Sequence, residues 1–130
     1  MKKLLTSVLL LAAAASAHAE WQRIDAPFDD VTLYVNHETA SATADRRVSI
    51  YHILDYKSLQ QRDGREFRSE MFRYEYDCNK GTFHAQGHTW HKGQMGGDKM
   101  VHFSEGTWYW NPPEPGSIDE VLLKHTCSKY

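Results

Sequence analysis

The stretch Phe72-Arg73-Tyr74-Glu75-Tyr76-Asp77-Cys78 alternates strictly between aromatic or sulfur-bearing and charged side chains. A period of two with one polar side predicts a half-buried antiparallel strand whose even-numbered residues face the core. Upstream, residues 47–56 alternate in the same way. The residues on the apolar side of that segment are Val48, Ile50, His52, Leu54 and Tyr56. The two segments therefore predict a hairpin with its even-numbered side buried.

The loop of this hairpin sets its register. A two-residue loop at Asp63-Gly64 would pair Ile53 with Tyr74 and set apolar side chains beside charged ones, because a one-residue slip reverses a strand face. A three-residue loop over residues 62–64 keeps the apolar sides together and places Gly64 at the left-handed position. We therefore predict the three-residue loop. It pairs Leu54 with Phe72, Ile50 with Tyr76 and Val48 with Cys78.

Shorter segments extend the sheet. Strands are predicted at residues 21–24, 31–35, 82–91 and 99–104, with a further one at 107–110. Three glycines in residues 92–98 predict a mobile loop, and Pro112, Pro113 and Pro115 end the last strand.

A helix is predicted near the C-terminus. Ser117 is followed three residues later by Glu120, which is a capping box. About nine residues follow, too few for a helix to persist alone in water, so packing on the sheet must hold them. The face expected to pack consists of Ile118, Val121, Leu122 and His125. The predicted fold is α+β: an antiparallel sheet of about six strands with one C-terminal helix packed on one face.

Residues 1–19 have the three parts of a secretory signal peptide. Lys2 and Lys3 precede an apolar run over residues 4–15, and small residues stand at Ala17 and Ala19. The run is shorter than the roughly 20 apolar residues that a spanning helix needs. We expect cleavage before Glu20, leaving residues 20–130 as a single domain without a transmembrane segment. No cysteine stands at the cut, so no lipid anchor is expected there.

The charge of the chain argues against nucleic acid as a partner. Without Lys2 and Lys3, 13 of the 15 basic residues remain against 17 acidic ones, a net charge of about −4. No basic block stands out, so nucleic-acid binding is not expected.

Cys78 and Cys127 are the two cysteines of the chain. In an exported protein such a pair predicts a disulfide. The bridge would join the end of the alternating strand to the end of the predicted helix and tie the two together.

Motifs for catalysis and for metal or phosphate binding are weak. The sequence contains neither G-x-S-x-G nor H-E-x-x-H. His84, His88 and His91, with His102 nearby, suggest a metal cluster, but residues four apart on a strand lie roughly 13 Å from each other. Residues 93–99 are glycine-rich but lack the G-K-[ST] ending of a phosphate loop. We expect no catalytic residue, no metal at these histidines and no cofactor. Exposed strand histidines are the expected alternative.

Trp108-Tyr109-Trp110 allows two interpretations. The two indoles fall on one side of an extended chain, which favours packing beside the helix. The alternative is an exposed contact surface, since tryptophan and tyrosine are preferred anchors of protein contacts. Any binding surface is expected on this stretch and on the preceding loop. Its candidate residues are Lys92, Met95, Lys99, Trp108, Tyr109 and Trp110.

Several pieces together resemble the surface-adhesin protein E-like family. They are an early Trp21, Thr32-Leu33-Tyr34-Val35-Asn36, Tyr76-Asp77-Cys78, Pro115-Gly116-Ser117-Ile118, Val121-Leu122-Leu123 and Cys127. The resemblance covers nearly all of residues 20–130. It implies an antiparallel sheet with a C-terminal helix tied by a disulfide, and a non-enzymatic envelope protein like the outer-membrane adhesin, a binder of host matrix proteins, for which the family is named.

The expected function is therefore an exported, non-enzymatic, adhesin-like module that binds a host matrix or envelope protein. A soluble periplasmic location is an alternative to surface display. A periplasmic inhibitor or small-ligand-binding protein is the second functional class, and a small hydrolase the third. A deep pocket with converging polar groups would favour the second or third class, and exposed aromatics on a flat face would favour the first.

Overall fold

The alternation around residues 72–78 becomes the fourth strand of a six-stranded antiparallel sheet. The computed structural model describes residues 20–130, so the predicted signal peptide lies outside the described residues. The strands are β1 (Gln22–Ile24), β2 (Val31–Ala42), β3 (Arg47–Arg62), β4 (Arg65–Asp77), β5 (Thr82–His91) and β6 (Met100–Glu105). They follow one another in chain order across the sheet. Helix α1 (Ile118–Lys129) follows β6. The predicted fold class is confirmed.

The core lies between one sheet face and α1, as the even-numbered pattern of β3 and β4 predicts. Leu122 of the helix is fully buried against this face. The buried apolar cluster consists of Ile24, Val31, Leu33, Val35, Ile50, Leu54, Tyr56, Phe67, Phe72, Tyr76, Trp90 and Leu122. We call this side of the sheet the helix face and the other side the open face.

The predicted pairing of β3 with β4 is wrong, although the buried side is right. The loop is Asp63-Gly64, with Arg62 opposite Arg65. Both loop residues have left-handed φ values, 52° and 72°, which suit a two-residue turn that matches strand twist. Farther from the turn the pairs are Leu54 with Glu70, His52 with Phe72, Ile50 with Tyr74 and Val48 with Tyr76.

A bulge explains how this loop and the buried even-numbered side coexist. Between Asp55 and Gln60 the chain of β3 advances five residues, while β4 advances two, from Ser69 to Phe67. The difference is three residues. Because three is odd, the bulge brings the even-numbered residues of β3 and β4 to the same face, which a two-residue loop with a regular ladder would not do. The predicted register assumes a regular ladder, which this bulge interrupts.

The disulfide is formed as predicted. Cys78 and Cys127 are bonded, with their Cα atoms 5.4 Å apart. Cys78 directly follows β4, so the bridge joins the end of that strand to the last turn of α1.

The helix begins as the capping box predicts and is longer than expected, with 12 residues. The Ser117 hydroxyl accepts a hydrogen bond from Glu120 N at 3.2 Å. The Glu120 carboxylate accepts from Gly116 N, one residue before the position that a standard capping box uses.

Two predictions about the last third of the chain need correction. Residues 107–110 do not form a strand: the pairing of β6 with β5 stops at Gly87–Glu105, and the chain meets β5 again only at the bridge between Phe83 and Asn111. Residues 92–98, predicted as a mobile loop, are held on the open face by hydrogen bonds to β3 and β4. Ser69 Oγ donates to Gly93 O and accepts from Gly96 N, and Met95 N donates to Asp55 Oδ1.

Candidate protein-binding surface

Large aromatic side chains stand exposed along the last edge of the sheet. Phe103 of β6 is 61% exposed, and in the segment that follows Trp108 is 91% and Tyr109 76% exposed. We call these three residues the aromatic edge. The interpretation of Trp108 as a residue packed beside the helix is therefore wrong. A contact surface, the alternative, is compatible with this exposure.

Backbone contacts with β5 hold the aromatic edge in place. Thr107 N donates to Ala85 O at 2.8 Å, and Asn111 exchanges two hydrogen bonds with Phe83. Gly106, just before Thr107, approaches β5 so closely that a Cβ there would clash with Ala85 O. Trp108 and Tyr109 therefore belong to a short span that is tied down at both ends.

Trp110 behaves differently from its neighbours. It is half-buried, with its ring 4.4 Å from the ring of His84 and the guanidinium of Arg47 5.3 Å from its centre. His84 Nδ1 also lies 2.8 Å from Thr107 O. Trp110 thus supports the span from the open-face side, while Trp108 projects into solvent.

Two grooves adjoin the aromatic edge. The first, about 390 Å³, is lined by His84, Ala85, Gln86, Phe103, Glu105, Gly106, Thr107 and Trp108. The second, about 440 Å³, shares Gln86 and Phe103 with the first and reaches Tyr51 and Arg73 on the open face. Both open to solvent. They extend the contact surface beyond the three aromatic side chains.

The candidate residues of the preceding loop lie elsewhere. Lys92 and Lys99 are exposed, and Met95 is half-buried. This loop follows His91, whereas Trp110 packs on His84, seven residues away on the same strand, which corresponds to about 23 Å. The six predicted residues therefore form two separate groups at opposite ends of β5.

The strand histidines are half-buried and engaged with neighbours, so the expectation that they are exposed is wrong. His84 Nε2 lies 3.2 Å from Glu75 Oε1, and His91 Nε2 lies 2.8 Å from the Thr89 hydroxyl. His88 and His102 have ring centres 5.6 Å apart. Within residues 20–130 there is no group of three or more His, Cys, Asp or Glu side chains arranged to hold a metal ion.

Buried polar groups that were not among the predicted site residues lie under the helix. His52 Nε2 is 2.7 Å from the Tyr76 hydroxyl, and burial lowers the pKa of His52 to about 3. The Tyr74 hydroxyl donates to Asp119 Oδ1 at 3.0 Å, and burial raises the pKa of Asp119. Alternation marked His52, Tyr74 and Tyr76 as inward-facing. The pairs join strands and helix, which is a structural role.

Across residues 20–130, no helix combines the length and the apolar character needed to cross a membrane.

Comparison with known proteins places the chain in a family. The model of the family described as surface-adhesin protein E matches residues 21–128. The chain belongs to the surface-adhesin protein E family. As a member of the surface-adhesin protein E family it is a surface adhesin-like protein, exported or located at the cell surface.

Structural comparison agrees with this membership. The structure of Haemophilus influenzae protein E matches with a TM-score of 0.64 and 12% identity, over 92% of each chain. Its crystal form II matches with a TM-score of 0.66 and 12% identity, over 92% of this chain and 96% of that one. At such identity the likeness shows a shared fold. A search of curated proteins found no match.

Proposed function

We propose that the protein is an exported, non-enzymatic module that binds a protein partner through the aromatic edge. The observation that carries the proposal is the exposure of Trp108, 91%, on a span that is fixed to β5 at both ends. Tryptophan and tyrosine are enriched among residues that dominate binding energy, because they bury large areas at a small entropic cost.

The arrangement favours a protein surface over a small molecule. Binding residues usually stand on loops that a rigid scaffold positions, and the disulfide, the helix and the sheet supply that scaffold here. The grooves beside Phe103 are open to solvent, whereas small-molecule sites enclose most of the ligand surface. The partner class we propose is a host matrix or envelope protein, in keeping with the family.

The loop carrying Lys92, Met95 and Lys99 is proposed as a secondary contact. Its separation from Trp108 means that only a partner spanning most of β5 could touch both groups at once. The aromatic edge is therefore the primary candidate.

The test measures binding of residues 20–130 to a panel of purified host extracellular-matrix proteins by biolayer interferometry. We expect at least one member to bind, and the double variant Trp108→Ala/Tyr109→Ala to lose about 10-fold or more in affinity. Circular dichroism should show an unchanged fold, because both side chains are exposed.

Two further variants make the comparison specific. Leu59→Ala removes an apolar side chain that is 49% exposed on β3, near the Asp63-Gly64 end of the sheet, and should bind like the wild type. Lys92→Ala/Lys99→Ala should lose about threefold or less, as weak rim charges do. Equal affinity of the wild type and the aromatic double variant would contradict the proposed surface. Binding to no panel member would contradict a host matrix protein as the partner.

A further inference from the structure

Two histidines from distant parts of the chain meet where the helix crosses β2. His37 belongs to the part of β2 where its pairing with β3 is interrupted, and His125 belongs to α1. The Nε2 atoms of the two rings are 3.3 Å apart, and the ring planes are inclined at 39°. These residues are separated by 88 positions, so no local sequence pattern predicts the pair.

The distance between the two Nε2 atoms is that of two ligands on one ion. Imidazole nitrogens bind zinc at about 2.0–2.1 Å, and a near-tetrahedral angle then separates the two nitrogens by about 3.3 Å. We propose that His37 and His125 form a two-histidine clamp for a divalent transition-metal cation. Without an ion, one ring must donate a hydrogen to the other, since two facing lone pairs repel.

Neighbouring groups prepare both rings as ligands. The Tyr130 hydroxyl lies 3.0 Å from His37 Nδ1, so it can accept the hydrogen that a metal-bound imidazole carries on its second nitrogen. Burial, then the Lys129 ammonium, holds the pKa of both histidines below its usual value of 6.5. A lowered pKa favours neutral imidazole, which is the form that binds metal.

The clamp has two protein ligands, because no third His, Cys, Asp or Glu side chain joins it within residues 20–130. Water must complete the coordination shell. Imidazole suits zinc, nickel and copper, and two ligands hold such ions weakly. The expected ion is exchangeable and is lost on dialysis, unlike the buried ion of a structural zinc site with four protein ligands.

Binding would fasten the helix to the sheet at a second point. The disulfide anchors Cys127 to the end of β4, and the clamp would anchor His125 to β2 on the other side of the helix. An ion that binds only the folded chain stabilises it by RT ln(1 + c/Kd), where c is the concentration of the free ion, so the melting temperature rises with that concentration.

The experiment follows thermal unfolding of tag-free residues 20–130 with and without 1 mM Ni²⁺. We expect the melting temperature of the wild type to rise by about 4 °C or more, and EDTA to reverse the rise. His37→Gln and His125→Gln should each abolish it. His102→Gln, which breaks the other close histidine pair on the helix face, should keep it.

A second measurement uses the wild type alone and therefore tests the clamp even if the variants fail to fold. In the wild type, titration with paramagnetic Ni²⁺ should broaden the ring signals of His37 and His125 in the NMR spectrum before those of His84, His88, His91 and His102. The clamp is overturned if the melting temperature of the wild type does not rise, if His37→Gln retains the full rise, or if other histidines broaden first.

Discussion

Among individual residues, His52 has the most consequential environment. Burial lowers its folded-state pKa to about 3, while an unfolded histidine titrates near 6.5. The unfolded chain therefore takes up the proton first, so stability is lost as the pH falls from 6.5 towards 3. Between pH 7 and pH 4.5 this amounts to about 3 kcal/mol. We expect urea unfolding of the wild type to show such a loss, and His52→Gln to show a clearly smaller one.

The His52 ring also contacts Phe72, with 5.4 Å between ring centres, so its replacement has a packing cost as well. That cost is the same at every pH, and a comparison of pH slopes therefore removes it. His102→Gln is the matched control and should keep the slope of the wild type. If His52→Gln and the wild type lose stability equally between pH 7 and pH 4.5, the buried neutral histidine is not the cause.

Among the elements, α1 depends most on its first turn. The Ser117 hydroxyl satisfies Glu120 N and donates to Glu114 O at 2.6 Å. Ser117→Ala leaves that amide without its partner and should lower the free energy of unfolding by about 1 kcal/mol. Urea unfolding at pH 7 measures the change.

The opposite end of the same helix provides the control. Ser128 is exposed and donates to the His125 carbonyl at 2.7 Å, where water can replace it. Ser128→Ala should change the free energy of unfolding by less than about 0.5 kcal/mol. Equal costs at the two positions would show that the cap does not govern the start of the helix.

For the fold as a unit, the disulfide is the main covalent constraint. It joins positions separated by 49 in the sequence, and a loop of that size predicts about 4 kcal/mol of stabilisation through restriction of the unfolded chain. Cys78→Ala/Cys127→Ala should lower the free energy of unfolding by about that amount. Wild-type protein unfolded in the presence of dithiothreitol should match the double variant. A loss below about 1 kcal/mol would mean that the unfolded chain gains little freedom without the bridge.

The sequence by itself determined the features that depend on neighbouring residues. Alternation identified the buried side of β3 and β4, because side chains on a strand point to opposite faces in turn. Ser117 and Glu120 identified the start of α1, because capping acts within one turn. The two cysteines in an exported chain identified the bridge. These inferences hold because each rests on local geometry or on elimination.

Only the tertiary structure decided the features that depend on contacts between distant segments. The bulge between Asp55 and Gln60 set the register of β3 on β4. The span between Thr107 and Asn111 is tied to β5 at both ends and holds Trp108 in solvent, where alternation alone favoured packing. His37 and His125 met because the helix folds back across β2. Bulges, close backbone approaches and cross-chain pairs arise from packing the whole sheet, and no short window of sequence contains the atoms that produce them.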